Sequence, residues 1–227
     1  MPENSTNIAH LWDQEYEKGK YEGEGPIPFV DQIIDTLQAE GVTGGEGLYI
    51  GCGNGRNYIP LAERGLHLIG LDVSQRALDQ LVGRYPSAEP YMVESSYLDY
   101  EPGKLFDYII SIQVFQHGDF DVVRKYFAKT AHLLKPGGLF FLRTNSVDTD
   151  IFFDYENPRQ TENGGLTVTY AEGPKKMFDV HFFSEKEINE LVQDNFQPVV
   201  QLEQVSMERS APKTGKWMQQ EGIWRKK

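Results

Sequence analysis

The sequence predicts an α/β fold: a seven-stranded mixed sheet with helices on both faces. Three observations predict it. Short apolar runs alternate with amphipathic stretches through the middle of the chain, the pattern of a parallel sheet with crossover helices. One run passes into a helix through alternate glycines, Gly51-Cys52-Gly53-Asn54-Gly55. The tail alternates apolar and polar residues over 199–207 and again around 216–224, as two strands pairing antiparallel at the sheet edge would.

The elements follow in order. Residues 8–21 carry Leu11, Trp12 and Tyr16, and lead through Gly23, Gly25, Pro26 and Pro28 into an amphipathic helix over 29–38. Strands are expected at 47–51, 67–71, 90–93, 106–112 and 139–144, each short and rich in residues suited to burial on both faces. Between them, a helix over 57–64 ends at Gly65. Ser74 caps a second over 75–82, which ends at Gly83. Asp119 or Asp121 starts a third over 122–134, with Val122, Val123, Tyr126, Phe127, Thr130 and Leu133 on its apolar face. Lys135-Pro136-Gly137-Gly138 stops that helix. Residues 146–180 read as a long irregular or hairpin-containing insertion. Ser184 caps a helix over 185–192 with Glu187 at the capping-box position, and the acidic run 185–190 reads as a solvated face. The length of 227 residues fits one well-buried domain spanning 1–227.

Composition narrows the function. The chain carries 34 acidic and 22 basic residues, a formal net charge of -12, which repels phosphate backbones and argues against an extended nucleic-acid groove. No apolar run approaches the ~20 residues that span a bilayer, and the first residues lack a signal peptide's basic start and apolar stretch, so no membrane association is expected. The single cysteine, Cys52, rules out an internal disulfide and a Cys-based zinc cluster; no metal site and a cytoplasmic location are the expectations. A small-molecule substrate fits best.

The glycine turn is where chemistry enters. Glycine lets a ligand approach the backbone with no Cβ in the way, and the following helix offers unpaired N–H groups and a positive dipole end. Seventeen residues after Gly55, Asp72 ends the second strand in Gly70-Leu71-Asp72-Val73-Ser74, where a carboxylate can accept both hydroxyls of a ribose. This spacing suits NAD or adenosylmethionine alike. The Gly51-x-Gly53-x-Gly55 pattern, however, lacks the third glycine placed for a pyrophosphate.

Four successive segments, the turn 50–55, Gly70–Ser74, Phe106-Asp107-Tyr108-Ile109-Ile110-Ser111 and Leu134-Lys135-Pro136-Gly137-Gly138-Leu139, resemble the class I (Rossmann-like) S-adenosylmethionine-dependent methyltransferases. The resemblance covers residues 46–145 well and the flanks more loosely. It implies that Gly51, Cys52 and Gly53 pass the cofactor's methionine part along their backbone, that Asp72 holds the ribose hydroxyls, and that Val73 packs on the adenine. Ser95 or Ser96 would meet the adenine amino group, and Ser111 and Ile112 would lie against the methionine half. The chain departs from the family at Tyr49, where an acid is usual, and at Ser95-Ser96, where a carboxylate or amide is common. His10-Leu11-Trp12-Asp13-Gln14-Glu15-Tyr16, with Gly19 and Tyr21 beyond, resembles the lid of the tellurite- and thiopurine-methylating branch. That implies a lid over 1–40 bringing Tyr16 and Tyr21 to the cofactor; packing in an N-terminal helix explains Trp12 and Tyr16 equally. Residues 146–180 would then be the substrate-side insertion.

Methyl transfer from a sulfonium is an in-line displacement, and an oxygen or nitrogen acceptor usually needs a general base where a soft sulfur or metalloid acceptor does not. His117, after the fourth strand, is the candidate base; capping of the next helix explains it too. His181 beside Asp179 is a second histidine that a local acid can orient. Arg143 and Asn145 end the fifth strand, where they can bind a substrate, although Arg143 can equally pair with a local acid. Cys52 can have a thiol activated by the helix N-terminus, or simply pack under the turn. The function expected is transfer of methyl from S-adenosylmethionine to a small-molecule acceptor. The alternatives are a protein side-chain methyltransferase and a non-catalytic adenosylmethionine-binding protein. The sequence does not bear on oligomeric state.

Overall fold

A computed structural model describes residues 3–42, 44–209 and 213–227. The chain divides into two compact units, Met1–Ile110 and Ser111–Lys227, and the division falls inside one strand. The first unit contains α1 (Glu3–Glu17), α2 (Phe29–Ala39), β1 (Glu46–Ile50), α3 (Tyr58–Glu63), β2 (His67–Asp72), α4 (Gln75–Arg84), a 3-10 turn (Pro86–Tyr91), β3 (Met92–Glu94) and most of β4 (Phe106–Ile112). The second contains the end of β4, then α5 (Phe120–Leu133), β5 (Leu134–Asn145), β6 (Tyr155–Gln160), β7 (Leu166–Tyr170), β8 (Asp179–Phe182), α6 (Glu185–Gln193), β9 (Phe196–Met207) and β10 (Trp217–Lys226). Seven strands form one mixed sheet in the order β3-β2-β1-β4-β5-β10-β9, as expected.

In the first unit β1 and β2 run parallel with Leu48 opposite Ile69, and β2 and β3 run parallel with Gly70 opposite Met92. The mostly apolar sequences of β1 and β2 answer to burial, since strands covered on both faces have no solvent side to make polar. Helix α2 buries Phe29, Val30, Ile33, Ile34 and Leu37, the stripe its periodicity marks. Helix α4 starts where the Ser74 side chain accepts the Ala77 N–H.

In the second unit β10 lies antiparallel to both β5 and β9, the edge hairpin anticipated from the tail. Phe140 on β5 is the centre of an aromatic core, with ring centroids 5.7 Å from Phe115, 6.0 Å from Phe127, 5.7 Å from Phe196 and 5.9 Å from Trp224. Helix α5 is capped by Asp119, which accepts the Val122 N–H, and α6 by Ser184, which accepts the Glu187 N–H. Strands β6, β7 and β8 form a separate antiparallel sheet closed over Val168, Val180 and Phe182. Its outer strand β6 is exposed at all six positions, carries Pro158, has Asn157 at φ 49° and shifts register between Glu156 and Arg159. Among the described residues no helix is long and apolar enough to cross a membrane.

Several boundaries differ from expectation for physical reasons. Strand β3 starts at Met92 because Pro90 sits inside the 3-10 turn. Helix α4 continues through Gly83 to Arg84; glycine weakens a helix interior without stopping it, and Pro86 follows. The Lys135–Gly138 stretch ends α5 but is itself the first part of β5, tied by Arg225 to the Gly137 carbonyl and by Lys226 to that of Leu134. Residues 146–180 contain the β6–β7 hairpin, in keeping with the hairpin-containing reading, and β8, which begins at Asp179, runs on past them to Phe182. The run 185–190 is not uniformly solvated, because Glu187 is fully buried.

Phe140→Ala should cost about 3–5 kcal/mol by removing a large ring from four aromatic contacts. Urea unfolding followed by tryptophan fluorescence measures it; a loss under about 1 kcal/mol would mean that the core collapses into the space.

Candidate active site

The turn between β1 and α3 is built around one carboxylate. Gly51 and Cys52 donate their N–H groups to the Leu71 carbonyl at 2.7 and 3.0 Å, which fastens the turn to the end of β2. Asp72 Oδ2 then accepts the Gly53 N–H at 2.8 Å, and Oδ1 accepts the Ser74 N–H at 3.0 Å. Gly53 has φ 54°, and a Cβ there would run into the Tyr16 hydroxyl. Both facts demand glycine. Gly55, at φ 87°, lies against Ile59 and Leu81, so a larger residue would push the helix off the turn.

Burial pushes the Asp72 carboxyl up to about 6 from an ordinary 3.8, against the lowering effect of the Ser74, Gly53 and Val73 N–H groups; the Asp13 charge adds to the rise. Each Asp72 oxygen takes one backbone donor and keeps acceptor capacity for another.

The N-terminal segment wraps this turn. Tyr16 of α1 is buried, with its phenol pushed well above the usual range by burial and then by the Asp72 charge. Its ring lies 6.3 Å from Trp12 and 6.4 Å from Tyr21. Tyr21, held at φ 61°, lies under the Lys20 ammonium at 5.0 Å and the Arg56 guanidinium at 5.3 Å. Burial raises its phenol, partly offset by Arg56. Asn54 donates to the Lys20 carbonyl at 3.2 Å, and Arg56 to that of Gly25 at 2.7 Å. The structure thus brings Tyr16, Tyr21, Gly53 and Asp72 together.

Other expectations divide. Cys52 is buried under the turn, facing Gly70, and burial raises its thiol well above the usual value, which favours packing over a reactive thiolate. Tyr49 is buried edge-on to Tyr58 at 6.2 Å. Val73 is half-buried beside Asp72. Ser95 donates its N–H to the Asp72 carbonyl at 2.9 Å and its hydroxyl to the Ser96 carbonyl, while the Ser96 hydroxyl bonds Asp99 at 2.6 Å. The Ser96 hydroxyl in turn accepts the Asp99 N–H at 3.2 Å, which closes a short turn after β3.

In the second unit Ser111 and Ile112 are buried, and the Ser111 hydroxyl has no hydrogen-bond partner among the described residues. Gln113, at φ 59°, donates its N–H to the Arg143 carbonyl. Arg143 is buried and its guanidinium pairs with Glu221, directly opposite on β10, which is the second of its two expected readings, a local acid as partner. Asn145 accepts from Gln219 at 2.9 Å, and its N–H donates to the Gln116 side chain. His117 is half-buried and bridges to Val180 of β8. Its carbonyl accepts the Tyr126 hydroxyl at 3.1 Å, and the cap of α5 is Asp119 rather than His117. His181 lies on β8 rather than in a loop. Its Nε2 meets Glu187 at 2.6 Å and its Nδ1 meets Thr167 at 2.8 Å, while Thr161 also donates to Glu187. That network was not anticipated; the Ser184-x-x-Glu187 spacing pointed Glu187 to the cap instead.

Comparison with known proteins places this geometry. Residues 48–140 match the family described as Methyltransferase domain. The Arabidopsis thaliana protein called probable thiol methyltransferase 2 is 26% identical over 140 residues, 59% of this chain and 61% of its own length. The ubiquinone biosynthesis O-methyltransferase of Chelativorans sp. is 34% identical over 103 residues, 43% of this chain and 39% of its own. The chain thus spans less than two thirds of these relatives. The fold is similar to that of the Burkholderia thailandensis 1,6-didemethyltoxoflavin-N1-methyltransferase, with TM-score 0.66 at 19% identity over 99% of this chain and 89% of that one. It is also similar to TehB of Haemophilus influenzae, with TM-score 0.63 at 15% identity over 95% and 67%. Residues 48–140 thus resemble the methyltransferase-domain family, and the fold is that of the Rossmann-like methyltransferase structures.

Asp72 makes stability depend on pH with a definite sign. Its folded value, about 6, lies above its unfolded value of 3.8, so the folded chain takes up the proton first as pH falls. Its contribution to stability therefore rises between pH 6 and 4 and is lowest above pH 6, by about 3 kcal/mol. Urea unfolding of wild type and Asp72→Ala from pH 4.5 to 8 should show wild type gaining on the variant as pH falls. A difference independent of pH would mean that the carboxyl titrates alike folded and unfolded.

Proposed function

We propose that this methyltransferase domain transfers a methyl group from S-adenosylmethionine to a small-molecule acceptor. The observation that carries the reading is the Asp72 carboxylate, buried at the end of β2 beside a Cβ-free turn and covered by α1. Its two oxygens, each with acceptor capacity left, fit two vicinal hydroxyls of a ribose. Gly53 supplies a backbone with nothing projecting from it, so the residues present fit the cofactor.

In this reading Gly51, Cys52 and Gly53 hold the methionine part by their backbone, Asp72 the ribose and Val73 the adenine, with Ser95 and Ser96 at the adenine edge. Tyr16 and Tyr21, within the lid of residues 1–40, exclude water. Ser111 and Ile112 border the methionine half. When bound, adenosylmethionine supplies a methyl already activated on a sulfonium. The chain's work is then to hold an acceptor in line and keep water out. Residues 146–180 shape the acceptor side with Asn145. Arg143 serves it indirectly, by fixing Glu221 and β10. His117 takes a proton only if the acceptor is oxygen or nitrogen.

Two relatives are named for thiol and thiocyanate methylation and several for an O-methylation step in ubiquinone biosynthesis, so low-molecular-weight thiols and phenols are the first acceptors to test. The acidic chain, its single buried cysteine and the absence of a long apolar helix among the described residues support a cytoplasmic site of action.

Calorimetric titration with adenosylmethionine, adenosylhomocysteine and NAD is the direct test. The two adenosyl compounds should bind wild type, and Asp72→Ala should weaken them about 10–100-fold by removing two charge-assisted hydrogen bonds. Binding of NAD alone would overturn the reading. Hydroxyl donors favour the ionised carboxylate, so affinity should fall up to about tenfold per pH unit below pH 6. An Asp72→Ala curve with the same fall would assign the effect elsewhere.

A further inference from the structure

Helix α1 meets α4 across a polar seam. Asp13, Tyr16 and Glu17 share one face of α1, being spaced i, i+3 and i+4. Asp13 Oδ1 accepts the Ser74 hydroxyl at 2.6 Å and the Arg76 N–H at 3.2 Å. The Tyr16 carbonyl accepts the Gln80 amide at 3.1 Å, and Glu17 pairs with Arg76 at 3.3 Å in solvent.

Of these contacts, the one through Asp13 runs on into the site. Ser74 gives its hydroxyl to Asp13 and its N–H to Asp72, so a continuous chain of hydrogen bonds joins α1 to the site carboxylate. Helix α4 does not need Asp13 in order to form, since Ser74 already caps it through Ala77. What Asp13 adds is a hydrogen-bond acceptor from another helix for the first-turn N–H of Arg76 and for the Ser74 hydroxyl. A cleft of about 500 Å³ lined by Asp13, Arg76, Asp79 and Gln80 opens the seam to water. Bonds that water can replace are weak enough to open and re-form. The turn beneath is closed, because Tyr16 fills the space over Gly53. In the adenosylmethionine reading Tyr16 borders the ligand on the α1 side, so the seating of α1 bears on how the ligand leaves.

We propose that Asp13 is a positioning residue for the cofactor. By seating α1 on the start of α4, it keeps Tyr16 over Gly53 and Asp72 and so sets how fast a bound adenosyl compound escapes. The inference rests on the adenosylmethionine reading above.

The experiment measures adenosylhomocysteine binding by calorimetry and its release by stopped-flow displacement, alongside ligand-free thermal melting. Asp13→Ala should raise the dissociation rate and Kd about tenfold, while Asp13→Asn, whose amide oxygen accepts the same two donors, stays within about twofold of wild type. Asp79→Ala, on the same cleft but bonded only within α4 to Gln75, should leave both unchanged. A wild-type release rate in Asp13→Ala, or no rescue by Asp13→Asn, overturns the inference alone. A wild type that binds no adenosylhomocysteine overturns the cofactor reading and this inference with it. Should Asp13→Ala not fold, Gln80→Ala removes a seam bond without touching a cap. It should then speed release about threefold, and an unchanged rate would overturn the proposal.

Discussion

A carboxylate removed from water must find donors, and much of the first unit follows from how Asp72 finds them. Its partners are backbone N–H groups from two places, the turn after β1 and the start of α4. Meeting both fixes where the turn lies, where α4 begins and why residue 53 has no side chain. The charge remains costly even so, as its carboxyl at about 6 records. A group held that close to neutral pH stands ready to gain from one more donor. Under the function proposed above, a ribose hydroxyl would be that donor.

The second unit contains the opposite arrangement. Glu187 is as buried as Asp72, but it accepts from both His181 and Thr161, and the other ring nitrogen of His181 meets Thr167. Phe120 stacks on the imidazole at 5.4 Å and Phe183 meets it edge-on at 4.6 Å. With its polar atoms matched and its faces covered, the pair ties α6 to the three-stranded sheet and leaves nothing for a ligand. Arg143 lies between the two cases: its Nη1 pairs with Glu221, while its Nε and Nη2 are buried with no hydrogen-bond partner among the described residues. Buried charge marks a site where partners are too few, and a staple where they suffice.

This contrast also explains what could be read in advance. The caps at Ser74, Asp119 and Ser184 and the tail hairpin are local or short-range signals, and the structure bears them out; the glycine turn and Asp72 were likewise located by local signals, after β1 and at the end of β2. The seven-stranded mixed sheet followed from them and from the family resemblance, whereas the order of its strands came only with the structure. What could not be read depends on contacts distant in sequence. Arg143 and Glu221 are 78 residues apart, and Thr161 lies 26 from Glu187. Ser184-x-x-Glu187 is a good capping box by spacing, yet only the Ser184 half is used as a cap, because a buried histidine competes for the carboxylate. The start of β5 at Leu134 likewise depends on Arg225 and Lys226 of β10, which turn a helix-stopping sequence into the first part of a strand.

Strand β6 has a consequence of another kind. An unpaired strand border exposes a row of N–H and C=O groups that any other extended chain can join, the usual beginning of sheet-mediated aggregation. Here Pro158 deletes one donor, Asn157 turns the backbone out of the extended region, and the register shift between Glu156 and Arg159 breaks the repeat. Neighbouring copies find no regular template to extend. The added sheet can therefore present side chains to its surroundings while its own border discourages fibril growth in a crowded solution.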